Sequence, residues 1–253
     1  EYKGKPQYQF TQVWLVDQEK EEYRPGGFIR AAAASPEALE KEFWDVVGSC
    51  GGEAGEFLRF VFKPNMPTWD SFRKFPAAVS HHHAYMHGLL EHTLGVARSA
   101  RAIAQSYRGT EYEADIDIVI AGACLHDLGK LDTYTMSPMP QSTLEGTVID
   151  HIATGYARFT ALADEFGLSP LVRTLLGHII LSHHGQKEYG SPVLPATPEA
   201  MIVSAADNLD FYLNSWSSSV ELLDGGMEPD RAVSEFDFST QRRLWKWRPA
   251  QPR

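Results

Sequence analysis

The chain has 253 residues, 43% of them hydrophobic, which is ample for a buried core in one large domain or two. Its formal charge of -10, from 33 acidic and 23 basic residues, excludes a protein that coats nucleic acid nonspecifically, since such binding rests on phosphate neutralisation by Lys and Arg; a local basic groove stays allowed. No apolar run approaches the roughly 20 residues that span a bilayer, nothing at Glu1 resembles a signal peptide, and Cys50 and Cys124 form no paired motif, so the expected location is cytoplasmic.

In chain order, Tyr8–Val16 (YQFTQVWLV) begins in alternation and ends in an apolar run with β-branched and aromatic members, which predicts a strand. One strand is no domain, and EYKGKP reads as a turn into it, so a longer natural chain with the rest of a small β-domain upstream is expected. A helix is predicted from about Ser35 to Val47, with Pro36 at its first position and Glu37 at its positive end. A short second helix over Glu56–Phe62 is too apolar to be exposed. Lys63–Pro67 marks a boundary. Beyond it helices are predicted over about Ala84–Ser106, Ala114–Leu125, Thr147–Phe166, Ser169–Ser182 and Thr197–Asn214, two of them announced by a capping residue and a proline. Short connections make these an all-α bundle. Gln241–Arg253 is a basic tail, read as a helix end pinned by Leu244, Trp245 and Trp247 in preference to a phosphate contact. The expected division is a β segment at 1–25, a helical connector at 26–66, the bundle at 67–215, and a helical extension with the tail at 216–253.

All ten histidines fall between His81 and His184. The stretch Ala121–Leu131, AGACLHDLGKL, ends an apolar helix in an adjacent His126-Asp127 pair, and burying an unpaired charge is costly unless a partner or a metal takes it up. His92 shares an inward stripe with Leu89, Val96 and Ile103; His183 follows Ile179 by one turn, and Asp207 lies one turn from both Val203 and Phe211. Inward histidines and aspartates from different helices, with no sulfur among them, are the ligand set of Zn, Mn, Fe and Ni sites. A bundle presents such ligands without disturbing the backbone. The pattern offers more ligands than one ion usually takes, so one or two divalent ions are expected, manganese first and iron, nickel or zinc as alternatives.

The order and spacing of His92, His126-Asp127 and Asp207 resemble the HD-domain metal-dependent phosphohydrolases. HHAYMHGLLEHTL (His82–Leu94), LHDLGK (Leu125–Lys130), the EG…H segment from Glu145 to His151, HIILSHHG (His178–Gly185), GSPVLPATPEA (Gly190–Ala200) and ADNLD (Ala206–Asp210) are similar to the YhaM-type 3′-5′ exoribonucleases, which join an OB-fold to a C-terminal HD domain. The resemblance covers about Pro67–Asn214. It implies a mainly α fold, an HD-domain helical bundle whose short N-terminal β remnant fits the end of an OB-fold. It further implies His92, His126, Asp127 and Asp207 around one ion, and His151 with one or both of His183 and His184 around a second, Asp127 bridging. Asp127 and Lys130 are then the catalytic pair, with Lys130 placed to meet a phosphate oxygen. His178 and His83 are candidate substrate contacts. His81, His82 and His87 read as non-ligands, His82 sharing with His83 a candidate supporting role, and Asn208 and Asp210 read as structural. The implied activity is a metal-dependent phosphodiesterase, a 3′-5′ exoribonuclease on single-stranded RNA or short oligonucleotides, in which metal-activated water attacks phosphorus. Hydrolysis of a small nucleotide or cyclic dinucleotide, and a regulatory HD module without turnover, are the alternatives; self-association is left open. Two positions depart from the family: His87-Gly88 stands where Gly-Gly is common, and Asp150 where a glycine precedes the middle histidine.

Overall fold

The computed structural model describes residues 34–79, 83–136, 140–221 and 232–246, together with residues 12, 32 and 223. The strand expected over Tyr8–Val16, Gln12 apart, lies outside them, as do His81, His82 and residues 247–253.

The fold is mainly α. Ser35 caps α1 (Pro36–Ser49), its hydroxyl accepting from the Ala38 N–H at 3.2 Å, and Leu39, Phe43 and Val47, one turn apart, are buried. Next come α2 (Gly52–Val61), longer than expected, and α3 (Pro67–Phe72), a helix where the sequence suggested only a boundary. Their aromatic rings interlock: Phe43 stacks on Trp69 at 5.0 Å and meets Phe62 edge-on at 5.1 Å. This block is continuous with the core of the helices that follow.

Those are α4 (Gly88–Ser106), α5 (Ile116–Leu125), the single turn α6 (Lys130–Thr133), a two-residue ladder of β1 (Tyr134–Thr135) with β2 (Gln141–Ser142), α7 (Leu144–Val148), α8 (His151–Phe166), α9 (Pro170–Ser182) and α10 (Pro198–Glu221). Helix α5 is the axis. Asp115 caps it by accepting from the N–H groups of Asp117 (2.9 Å) and Ile118 (3.2 Å), and every residue from Ile118 to Leu125 is buried. A helix apolar all round belongs in the middle, and α5 packs against α4, α9 and α10 while touching α1 and α2.

Two predicted helices begin late for one reason. His87, with φ 66°, breaks the chain before α4, and Asp150, with φ 73°, separates α7 from α8 within the segment expected as one helix. Thr197 caps α10 as expected, accepting from the Ala200 N–H at 3.2 Å. Ser169 instead donates through its hydroxyl and N–H to the Glu53 carboxylate at 2.5 and 2.6 Å, tying α9 to α2.

The helical extension expected beyond residue 216 is corrected. Helix α10 runs to Glu221, and the chain then forms an antiparallel hairpin, β3 (Val233–Asp237) with β4 (Arg242–Trp245), Val233 facing Trp245. Trp245 therefore sits in a strand, not at a helix end. The β-branched and aromatic residues here favour a pleated surface, and Asp237 organises the turn: its carboxylate accepts from the Ser239 hydroxyl (2.6 Å) and the Thr240 N–H (2.8 Å). Among the described residues no helix is long and apolar enough to cross a membrane, and Cys50 and Cys124 are free and buried.

Candidate metal centre

The end of α5 delivers His126 and Asp127 into a space that α4 enters with His92, α8 with His151, α9 with His183 and His184, and α10 with Asp207. His92, His126 and His183 are 0% exposed and Asp127 is 2% exposed. The backbone allows this only through a close approach at Gly129, where a Cβ would lie 2.0 Å from the His151 carbonyl oxygen.

Asp127 joins two groups. Its Oδ2 lies 3.3 Å from both His92 Nε2 and His126 Nε2, and its Oδ1 lies 3.5 Å from His151 Nε2 and 3.8 Å from His183 Nε2. Asp207 Oδ1 is 3.3 Å from His92 Nε2 and 3.8 Å from His126 Nε2. His184 belongs to the second group, with donor atoms of His151, His183 and His184 all within 4.8 Å of one another.

The five imidazoles share one orientation. Nδ1 of His126, His183 and His184 donates to the carbonyl oxygens of Ala123 (2.8 Å), Ile180 (2.8 Å) and Tyr189 (2.6 Å), and Nδ1 of His92 and His151 to the carboxylates of Asp210 (2.7 Å) and Asp150 (2.6 Å). A carbonyl or carboxylate only accepts, so each Nδ1 carries a proton, and Nε2 of His92, His126, His151 and His183 is left turned to Asp127. His92 Nε2 and His126 Nε2 approach to 3.2 Å, a distance that a shared proton or a cation between them accounts for. Asp127 Oδ1, His151 Nε2 and His183 Nε2 are buried without a hydrogen-bond partner among the described residues, and Asp127 Oδ2 is met by Lys130 Nζ at 2.6 Å. Such groups are expensive to bury, and an unpartnered carboxylate oxygen beside imidazole Nε2 atoms, on rings whose Nδ1 is held by outer acceptors, fits a divalent ion. The residues present therefore fit the metal expected.

The electrostatics agree. Burial pushes His183 down, and the neighbouring His184 and His126 push it further, so its imidazole is held neutral; burial, then His151, does the same for His184. Burial would raise the Asp127 carboxyl, yet Lys130, then His126 and His92, outweigh it and hold it well below the usual carboxylate range. Burial would likewise depress His92, but Asp127, Asp207 and Asp210 reverse this and raise it well above the ordinary imidazole value. Positive charge is favoured at this point.

Not every expected residue reaches the centre. Lys130 Nζ lies 2.6 Å from Asp127 Oδ2 and is 5% exposed, so it pairs with the bridging carboxylate. His83 stands behind: its Nε2 is 2.9 Å from Asp210 Oδ2 and its Nδ1 2.7 Å from the Tyr85 hydroxyl, which itself donates to Glu91. His178 Nε2 accepts from the Ala196 N–H at 2.9 Å and so anchors the loop before α10. Neither His83 nor His178 lines the cavity beside the centre. Donor atoms of His83, His92 and Asp210 also cluster, but they already hydrogen-bond to one another.

Two supports escaped the sequence reading, Asp210 and Asp150. Asp210 follows Asp207 by three residues, on the same helix face, and that spacing was the available signal. A Cβ at Gly95 would lie 2.2 Å from Asp210 Oδ1. Gly95→Ala is therefore expected to push Asp210 off His92 and weaken metal binding on the order of 10- to 100-fold while helicity stays normal. Calorimetric titration with Mn²⁺ measures this, and unchanged affinity would remove Asp210 from any role in orienting His92.

Above the centre opens a cavity of about 780 Å³, reached by Asp127, Lys130, His151, His184 and Asp207. An inward His-Asp pair at the core of a helical bundle is joined by histidines and an aspartate from neighbouring helices, and residues 89–212 match the family model of the HD domain. Within that family the similarity runs to the YhaM type. The chain is 34% identical to the 3′-5′ exoribonuclease YhaM of Bacillus subtilis (strain 168) over 163 residues, 64% of this chain and 51% of the relative. It is 37% identical to that of Listeria monocytogenes (strain EGD-e) over 145 residues, 57% and 45%, and 28% identical to that of Geobacillus sp. (strain WCH70) over 231 residues, 91% and 69%. The chain thus spans about half the length of the Bacillus subtilis and Listeria relatives. No solved structure matches it.

Proposed function

We propose that the chain is a metal-dependent phosphodiesterase, a 3′-5′ exoribonuclease acting on single-stranded RNA or short oligonucleotides. The observation that carries this is the set of five imidazoles whose Nδ1 atoms are tied outward, four of which turn Nε2 to one buried carboxylate. The similarity to the YhaM exoribonucleases supports the substrate. His92, His126, Asp127 and Asp207 would hold one ion, and His151, His183, His184 and Asp127 a second. When bound, divalent ions supply Lewis acidity at the phosphoryl oxygens and an activated water. The chain's own part is to fix the imidazole tautomers, keep Asp127 and Asp207 ionised, and set Lys130 at the cavity wall to neutralise charge on the phosphoryl group. We take 67–215 as the HD domain, in a cytoplasmic protein.

Lys130→Ala is expected to lower kcat by about 100-fold, in line with loss of one charge-stabilising donor, with metal content kept. Metal loss in that variant would make Lys130 a structural partner of Asp127 instead. The function itself is tested by metal analysis of the purified protein combined with mononucleotide release from 3′-unblocked single-stranded RNA, with and without added Mn²⁺. Metal near two per chain with stepwise shortening from the 3′ end is expected. Bound metal with RNA left intact would favour hydrolysis of a small nucleotide, which the cavity volume, within the range of small-molecule sites, also accommodates.

A further inference from the structure

We propose that Phe238, at the tip of the C-terminal hairpin, and Tyr212, on α10, form a stacking clamp for the terminal nucleobase of a single-stranded substrate. The inference rests on the phosphodiesterase reading and adds a base-binding subsite that joins Tyr212, the last residue of the matched HD segment, to Phe238 beyond it. The cavity lining includes Asp127, Lys130, His151, His184 and Asp207 of the centre and, beside them, the aromatic residues Tyr189, Phe211, Tyr212 and Phe238.

The aromatic part of the lining is built and held. The Ser219 hydroxyl donates to Asp237 Oδ2 at 2.7 Å and Trp216 Nε1 to the Trp245 carbonyl at 3.0 Å, fastening the hairpin to the helix that carries Asp207. The Arg242 guanidinium lies 5.1 Å from the Tyr212 ring centroid and so fixes that ring from the hairpin side. Asn208, Tyr212 and Trp216 follow one turn apart on α10, so one helix face runs from the cavity to the hairpin. Phe238 meets Phe236 edge-on at 5.1 Å, yet is 80% exposed. A ring so placed adds little to folding, while the turn beneath it is fixed by the Asp237 hydrogen bonds.

The chemistry points to a base. A phosphate at Lys130 and the metal centre leaves a flat, π-faced group to meet the aromatic residues, and every nucleobase has such a face. A chain of formal charge -10 also gains little from general phosphate neutralisation, so stacking has to supply more of the grip. Alanine substitution of a stacking aromatic typically costs on the order of 10- to 100-fold in binding.

The test compares wild type with Phe238→Ala and Phe238→Trp on two RNA pentamers, one ordinary and one with an abasic 3′-terminal ribose. Phe238→Ala should raise KM for the ordinary pentamer on the order of 10- to 100-fold, with kcat and metal content unchanged, and should abolish the wild-type preference for it over the abasic one. Phe238→Trp should retain both. Equal KM in Phe238→Ala, or a wild-type enzyme that cleaves the two pentamers equally well, overturns the clamp and leaves the phosphodiesterase reading standing. A wild-type protein that binds metal and leaves both intact removes that reading and the clamp with it.

Discussion

Asp127→Asn yields a folded helical protein that retains neither ion and hydrolyses nothing. The amide has the volume of the carboxylate, so the turn after α5 keeps its shape, but it brings no charge and turns an N–H toward one of the imidazole groups that Asp127 now joins. We expect turnover to fall at least on the order of 10³-fold, beyond what a single lost electrostatic donor costs, because both groups lose their shared ligand. Lys130 is also left buried without its counter-charge. Breaking a buried pair by removing one partner costs about 3–5 kcal/mol, and the amide dipole recovers part of it. Because the folded carboxyl is held below its ordinary value of 3.8, the stabilisation it gives is present above that pH and lost on acidification. In thermal denaturation wild type should rise with added Mn²⁺, by about 2.7 kcal/mol at a hundredfold excess over Kd, and the variant should not respond. A variant with normal metal content and turnover would dissolve the assignment of Asp127 as the bridge.

The second large effect is a trade. Asp150 holds φ 73° and ψ 161°, a conformation that suits glycine and costs other residues roughly 1–3 kcal/mol. What it gains there is His151: one carboxylate oxygen accepts from both the His151 N–H (2.5 Å) and Nδ1 (2.6 Å), and these contacts pull the carboxyl down to about 2. Asp150→Gly should relieve the strain. Glycine's greater freedom in the unfolded chain takes back about 0.5–1 kcal/mol, leaving a net gain of roughly 1 kcal/mol without metal. The same change should weaken metal binding about 10- to 100-fold, because His151 loses the acceptor that orients it. Melting in a chelator and Mn²⁺ titration together separate the two effects; a variant that binds metal as tightly as wild type would show that His151 does not need this partner.

The fold was legible where periodicity is strong. Leu89, His92 and Val96 on one stripe, and Val203, Asp207 and Phe211 on another, point inward by spacing alone, and those helices bring His92 and Asp207 to Asp127. Two kinds of feature were not legible. Asp150 and His87 take positive φ without being glycine, so their own side chains did not announce the breaks before α8 and α4; the signal was that the resembled family commonly has glycine at both positions. The hairpin was hidden because its short strands follow a long helix and carry tryptophans that read equally well as a helix end. His83 looked like a substrate contact as one of a histidine run, whereas Asp210 and Tyr85 hold its ring. Sequence spacing tells which side of a helix a residue occupies, but not which neighbour reaches it first.

The aromatic block of α1 to α3 bears on how the protein can be divided. Phe57 is 0% exposed and meets Phe159 edge-on at 5.8 Å, so this block and α8 share one interior. A fragment cut to the borders of the HD match, Leu89 to Tyr212, would bare that interior to water and would also drop the hairpin. A piece meant to fold alone therefore has to include these three helices and Ala32, whose N–H bonds the Met86 carbonyl at 3.0 Å, and any exchange of this domain between relatives has to carry them as part of the same unit.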